Sequence, residues 1–282
     1  MSPRAYTVVD VFTDSPLQGN PAAIFTDGSG LEAELMQRTA RELNLSETVF
    51  VLPPREEADA AVRIFTPGSE LPFAGHPVLG TAFVLAAKSD AELITLETKA
   101  GPVPIRLRRE SGQVVYGEME QPIPTRESFP HEHELLAALG LDNSELPIAA
   151  YRNGPVHVYV ALPDEAAVAG LRPDLGRLSD LGPGFGINCF AGAGRRFKTR
   201  NFSPGLGIAE DPATGSAAGP LALHLARHGR VAYGEQLEIR QGEEIGRPSR
   251  LYAQVEGSDG NVTRIAVGGS AAIVAHGEYR LQ

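Results

Sequence analysis

A pattern that begins at Arg63 of this chain recurs at Arg200. The first copy reads RIFTPGSELPFAGHPVLGTAFVLA, and the second reads RNFSPGLGIAEDPATGSAAGPLALHLA. Both open with Arg-x-Phe-[Ser/Thr]-Pro-Gly and end in an apolar run of helical length. Each run is entered through two glycines, Gly75 and Gly80 in the first copy and Gly215 and Gly219 in the second. A repeat this long exceeds the units of solenoid proteins, so it predicts two similar domains.

A second, looser match supports this duplication. The stretch QGNPAAIF at 18–25 is echoed by RNGPVHVYVAL at 152–162, and each precedes its own Arg-x-Phe motif. The two motifs therefore keep the same order and a similar spacing in both halves.

Each half combines short β runs with an apolar helix. Strands are predicted at 6–12, 22–26, 49–52, 61–65, 93–97 and 103–108, then near 147–151, 156–161, 236–240, 251–255 and 262–268. Apolar helices are predicted over 77–87 and about 216–228, and an amphipathic one over 31–43. The fold class is α+β, with two pseudo-repeat domains that each wrap a β-barrel-like sheet around a central helix.

The proline-rich stretch EQPIPTRESFP at 120–130 is interpreted as the linker between the domains. We therefore expect one domain at 1–124 and the other at 125–282. The strand near 277–281 is a candidate to return to the first domain.

Charge and cysteine content exclude several classes of protein. The 282 residues carry a net charge of −10, which disfavours nucleic acid and anionic membranes as partners. The lone cysteine, Cys189, cannot form an internal disulfide, and Asp10 interrupts the apolar core that a signal peptide would need. A cytoplasmic location is expected. The basic cluster RRFKTR at 195–200 is interpreted as a solvated strand edge or a subunit contact.

The entries of the two apolar helices carry the candidate chemistry. A helix start leaves unpaired N–H groups at the positive end of the dipole, which favours an anion such as a carboxylate. Close to these entries lie Glu47, His76 and Asp211. Asp211 could instead be a helix cap, Glu47 a solvated turn residue and His76 a histidine satisfied by backbone. Together, however, they could transfer a proton at a carbon next to a bound carboxylate.

No cofactor or metal is expected. The chain lacks a phosphate-binding Gly-x-x-x-x-Gly-Lys-[Ser/Thr] motif and a correctly spaced dinucleotide fingerprint. His224 and His228 have helical spacing, but no third zinc ligand is evident beside them.

Several motifs resemble the PhzF family of phenazine-biosynthesis isomerases, which shares the fold of diaminopimelate epimerase. They are GNPAAIF, ARELNLSETVFVL, RIFTPGSELPFAGHPVLGTA, MEQPIP, YRNGPVHVYV, INCFAGAGRRFKTRNFSP, EDPATGSAAGPLALHLARHG and GEEIGRPS. The resemblance covers nearly the whole chain. It implies one active site in a cleft between two similar domains and, commonly, a homodimer.

The resemblance also implies the reaction and its residues. Diaminopimelate epimerase uses two cysteines, and this chain has only one, so two-thiol racemisation is excluded by count. In PhzF-type enzymes a glutamate and its neighbours act instead, and these match Glu47, His76 and Asp211. The implied reaction moves a proton of trans-2,3-dihydro-3-hydroxyanthranilate from C3 to C1 and yields an aminoketone. Helix-end reasoning assigns four further residues to the substrate carboxylate: Ser46, Gly75, Gly215 and Ser216.

Two other functions stay open at the level of sequence. The catalytic motifs fit equally well with a PhzF-like isomerase or epimerase that acts on another small amino or hydroxy acid. A non-catalytic protein could also use the paired helix ends to bind a carboxylate.

Overall fold

A computed structural model of the chain describes residues 3–182 and 184–281. The chain divides into two compact units, which are Met1–Glu120 with Gly268–Gln282, and Gln121–Val267. Among the described residues, no helix has both the length and the apolar character needed to cross a membrane.

The first unit is a sheet that closes around one buried helix. Its strands are β1 (Arg4–Val11), β2 (Asn20–Phe25), β3 (Glu47–Leu52), β4 (Ala60–Phe65), β5 (Glu70–Leu71), β6 (Leu93–Thr98), β7 (Gly101–Glu110) and β8 (Gln113–Glu120). Helix α1 (Ala33–Leu43) joins β2 to the parallel strand β3, and helix α2 (Gly75–Ala86) lies between β4 and the parallel strand β6. The other neighbours, β1–β2, β3–β4, β6–β7 and β7–β8, are antiparallel.

The second unit is built in the same way. Its helices are α3 (Glu132–Leu139), α4 (Glu165–Gly170), α5 (Leu175–Asp180) and α6 (Gly215–Arg227). Its strands are β9 (Thr125–Glu127), β10 (Ala149–Arg152), β11 (Val156–Ala161), β12 (Phe185–Ala193), β13 (Arg196–Ser203), β14 (Ile208–Asp211), β15 (Gln236–Gln241), β16 (Ser249–Ser258) and most of β17 (Asn261–Gly269).

Pairing directions confirm that the two units repeat one design. In the first unit, strands β1, β2, β3, β4, β6 and β7 are neighbours in that order. Their successive pairings are antiparallel, parallel, antiparallel, parallel and antiparallel. The same order runs through β10, β11, β12, β13, β15 and β16 of the second unit. In both, the second parallel crossover contains the apolar helix. The sequence repeat therefore corresponds to a repeat of topology, and the predicted α+β class is confirmed.

The paired glycines of the repeat let each buried helix approach its sheet closely. A Cβ atom on Gly80 of α2 would lie 2.8 Å from the Val11 side chain, and one on Gly219 of α6 would lie 2.6 Å from Ile265. Both distances are shorter than real Cβ contacts, so a side chain at either position would push the helix away from the strands.

Pro220 lies inside α6, where a proline removes the helical hydrogen bond to the carbonyl four residues earlier. That carbonyl belongs to Ser216, and it accepts a hydrogen bond from Nδ2 of Asn153 at 2.9 Å. The side chain thus supplies the donor that the proline lacks.

The domain limits differ from those expected at 124/125. The structure divides after Glu120, because β9, inside the stretch interpreted as a linker, pairs with β10 and so belongs to the second unit. The C-terminal segment of the first unit begins at Gly268, because strand β18 (Ala271–Tyr279) pairs with β1 along its whole length.

The interpretation of the basic cluster at 195–200 is wrong for two of its members. Lys198 is buried on β13 and pairs with Glu243 and, at 2.7 Å, with Glu244. Arg200 is also buried and holds Glu210 through two bonds of 2.9 and 2.7 Å. The pKa of Arg200 is raised, mainly by the hydrogen bonds to Glu210 and further by the charge of that carboxylate. Burial acts in the opposite direction.

Candidate active site

Glu47 is placed at the start of a central strand by the end of α1. The helix ends at Asn44, which takes the left-handed conformation (φ 50°) and turns the chain back towards the sheet. Two residues then lead to Glu47, the first residue of β3, whose neighbour in register on β2 is Ala22. Glu47 is 8% exposed, so the alternative of a solvated turn residue does not describe it.

His76 is the second residue of α2 and is 4% exposed. Its Nε2 lies 3.1 Å from Oε2 of Glu47. Burial lowers the pKa of His76 to about 3, although a hydrogen bond to the Pro21 backbone works in the opposite direction. Since Nε2 faces Glu47, the bond to Pro21 falls to Nδ1, which then carries the proton of the neutral ring.

This buried pair combines a carboxyl group with an uncharged imidazole. A cationic partner would hold Glu47 ionised and weaken it as a base, whereas a neutral ring does not. The arrangement suits a carboxyl group that takes up and releases a proton.

Gly75 and Ser46 lie next to these two residues in the chain. Gly75 is buried and is the first residue of α2, after the extended Ala74. Its N-cap residue, Ala74, makes no side-chain cap hydrogen bond, and the first amides of a helix favour an anion. Ser46 is half-buried directly before Glu47.

In the second unit, Asp211 is the last residue of β14 and is 9% exposed. Its Oδ2 accepts a hydrogen bond of 2.6 Å from the Thr214 hydroxyl. Asp211 is therefore not the cap of α6, because Thr214 occupies the N-cap position. Gln241 binds the same turn by donating to the Asp211 carbonyl at 2.7 Å and to the Thr214 hydroxyl at 2.9 Å.

Gly215 and Ser216 are the first two residues of α6, and both are buried. Three side chains donate hydrogen bonds to the first-turn carbonyls of the helix. Gln121 donates to the Gly215 carbonyl, Asn153 to that of Ser216, and Tyr159 to that of Ala217. This end of α6 is therefore fixed by side chains of its own unit.

His157 is a functional candidate that the sequence reasoning missed. It lies on β11 and its Nε2 is 2.9 Å from the Ser216 hydroxyl. A signal was present, because His157 is an imidazole in the otherwise aliphatic and aromatic run VHVYVA.

The remaining candidates are structural. His224 is completely buried against Tyr151, and burial, followed by the neighbouring positive charges, lowers its pKa to about 3. Cys189 is buried on β12, and burial raises the pKa of its thiol to about 12. Within residues 3–182 and 184–281, no three His, Cys, Asp or Glu residues are grouped so that they could hold a metal ion.

A sheet wrapped around a buried helix, present twice in one chain with ionisable side chains near each helix start, defines the epimerase-like class of folds. A hydroxyproline epimerase structure from Agrobacterium vitis, only 13% identical, shares this fold with a TM-score of 0.66 over 98% of this chain and 92% of that chain.

The chain belongs to the family of phenazine biosynthesis-like proteins, whose model matches residues 9–277. It is similar, at 56% identity over 98% of this chain and 99% of the relative, to trans-2,3-dihydro-3-hydroxyanthranilate isomerase of Pseudomonas aeruginosa. The crystal structure of a PhzF family phenazine biosynthesis protein from Bacillus anthracis is 29% identical, with a TM-score of 0.86 over 99% of this chain and 100% of that chain.

Proposed function

We propose that this protein is a cofactor-independent isomerase that converts trans-2,3-dihydro-3-hydroxyanthranilate into an aminoketone in phenazine biosynthesis. The name and the 56% identity of the Pseudomonas aeruginosa relative support the substrate. The observation that carries the chemistry is the buried Glu47 carboxyl group, 3.1 Å from the imidazole of His76, which burial keeps neutral.

In this proposal Glu47 is both the base and the acid. Its carboxylate removes the proton at C3 of the ring, and the resulting carboxyl group, after exchange with solvent, delivers a proton at C1 of the same ring face. Isomerisation needs no net change in protons or electrons, so one carboxyl group that is reset in each turnover is sufficient. His76 lies beside this carboxyl group, with its Nε2 3.1 Å from Oε2, and orients the amino or hydroxyl group of the substrate.

The other residues bind the substrate. The first amides of the two buried helices, at Gly75 and Gly215, together with the hydroxyl groups of Ser46 and Ser216, hold the substrate carboxylate. Asp211 accepts a hydrogen bond from the substrate amino or hydroxyl group, and Thr214 and Gln241 fix its position.

The variant Glu47→Gln tests the catalytic role, because it keeps the size and burial of the side chain but cannot take up the proton. We expect the variant to fold and to bind the substrate in a calorimetric titration, with turnover lost by at least about three orders of magnitude. Substantial residual turnover would remove Glu47 from this role.

The substrate itself is tested by offering trans-2,3-dihydro-3-hydroxyanthranilate to the wild-type protein in heavy water. We expect its ultraviolet spectrum to change and deuterium to appear at C1 of the product. Binding without spectral change or deuterium uptake would indicate a carboxylate-binding protein, and no binding at all would point to a different small acid.

A homodimer in the cytoplasm completes the proposal. Cys189, the single cysteine of the sequence, is free and buried, and a chain without an internal disulfide suits that compartment. Sedimentation at several concentrations measures the oligomeric state, and a monomer throughout would refute the dimer.

A further inference from the structure

The Ser216–His157 contact belongs to a buried chain of polar side chains in the second unit. Nδ1 of His157 faces Nδ2 of Asn188 at 3.4 Å, and Oδ1 of Asn188 accepts a bond of 2.8 Å from Nδ2 of Asn201. Oδ1 of Asn201 in turn accepts a bond of 2.8 Å from the Ser203 hydroxyl. All five residues are buried, so the chain runs from the interior to the start of α6.

The backbone fixes the direction of this hydrogen-bond chain. Nδ2 of Asn188 lies 3.4 Å from the Gly186 carbonyl as well as from Nδ1 of His157. A flipped amide would bring two acceptor oxygens together at Gly186, so the amide nitrogen is the atom that faces His157. Nδ1 is therefore an acceptor, and the proton of the ring is on Nε2.

Burial keeps this tautomer uncharged, because it lowers the pKa of His157 to about 3. Nε2–H then donates to the oxygen of Ser216, and the hydroxyl proton of that serine has to point away from the ring. A serine fixed in this way has its hydroxyl proton directed away from the ring, where a ligand can accept it. It lies in the first turn of α6, where the helix dipole also favours an anion.

We propose that His157 is a positioning residue that orients the Ser216 hydroxyl as a hydrogen-bond donor to the carboxylate of the substrate. This inference rests on the proposed function, in which Ser216 binds that carboxylate. Gly186 preserves the arrangement, because a Cβ atom there would lie 3.0 Å from Nδ1 of His157, from Nδ2 of Asn201 and from the hydroxyl oxygen of Ser203.

The kinetic test compares His157→Leu with His157→Gln, whose amide nitrogen can replace Nε2–H. Ser216 would hold the carboxylate equally before and during the reaction, so its loss affects KM and leaves kcat nearly unchanged. We expect His157→Leu to raise KM about ten-fold with kcat within about two-fold of wild type, and His157→Gln to recover most of the loss. Thermal melting checks that both variants are folded.

Ser216→Ala provides the matched control. If His157 acts through Ser216, the double variant His157→Leu/Ser216→Ala should have the KM of Ser216→Ala alone. The inference would be overturned if the two single substitutions raised KM independently, so that their effects multiplied in the double variant. It would also be overturned if His157→Leu left KM unchanged while Ser216→Ala raised it.

The tautomer can be measured directly in the wild-type protein by nitrogen-15 NMR with labelled histidine. We expect His157 to show a protonated Nε2 and an unprotonated Nδ1 at neutral pH, and His157→Gln identifies its signals by their loss. The opposite tautomer overturns the inference even when turnover is normal. Absence of turnover in the wild type refutes the proposed function instead, and the NMR result is then read separately.

Discussion

Replacement of Asn153 by alanine should destabilise the second unit through a single carbonyl group. The Ser216 carbonyl has no helical donor at position 220, because that residue is proline, and Nδ2 of Asn153 donates to it at 2.9 Å. A buried acceptor that loses its partner costs about 1–3 kcal/mol.

Two further contacts of Asn153 adjust this magnitude. Its second bond, to the Gln121 side chain, is long at 3.3 Å and adds little. Its own Oδ1 is buried and has no hydrogen-bond partner among the residues that the structure describes, so deletion of the amide also removes an unfavourable group. We therefore expect a loss of about 1–2 kcal/mol in the free energy of unfolding, which corresponds to a Tm lower by about 2–8 °C.

Urea unfolding of Asn153→Ala in two backgrounds isolates the cause. Pro220→Ala restores a backbone N–H that can bind the Ser216 carbonyl, so in this background Asn153→Ala should cost less than half as much. An equal cost in both backgrounds would show that Asn153 stabilises the unit by another route, and the account of the helix start would be refuted.

Two other predictions concern buried charge. Glu210→Gln should cost about 3–5 kcal/mol in urea unfolding because it leaves the Arg200 charge buried without its partner, whereas Glu127→Gln, in the exposed pair with Arg152, should change stability little. Stability should also fall as the pH drops from about 6.5 towards 3, because three buried imidazoles have a pKa of about 3 and gain protons only on unfolding. When the free energy of unfolding is plotted against pH across this range, His224→Phe should reduce the slope by about 1.4 kcal/mol per pH unit. An unchanged slope would contradict the lowered pKa of His224.

The sequence predicts the first unit better than the second, for physical reasons. In the first, glycine and proline separate short strands and α1 is strongly amphipathic, so its expected range of 31–43 lies close to the observed Ala33–Leu43. In the second, α4 and α5 have six residues each, too few for a helical period to be recognised. Strands β12 and β13 are buried on both faces and show no alternation.

The same distinction applies to the candidate site. Glu47, His76 and Asp211 stand in motifs that can be read locally, and their assignment as catalytic residues remains a prediction. His157 could not be identified in that way, because its partner Ser216 lies 59 residues further along the chain. Similarly, Lys198 appears exposed in sequence because Glu243, which neutralises it, is 45 residues away.

The repeat also shows how one scaffold acquires two kinds of helix entry. His76 and Ser216 occupy the same position, the second residue of a buried helix, and each is contacted by a side chain from the sheet of its own unit. In the first unit the helix supplies the imidazole and the strand supplies the carboxyl group. In the second unit the imidazole of His157 comes from the strand and the helix supplies a hydroxyl group. Because burial keeps both rings neutral, neither helix entry places a fixed positive charge beside its partner. The first arrangement therefore leaves a carboxyl group able to exchange a proton, and the second leaves a hydroxyl group whose proton is directed away from the ring.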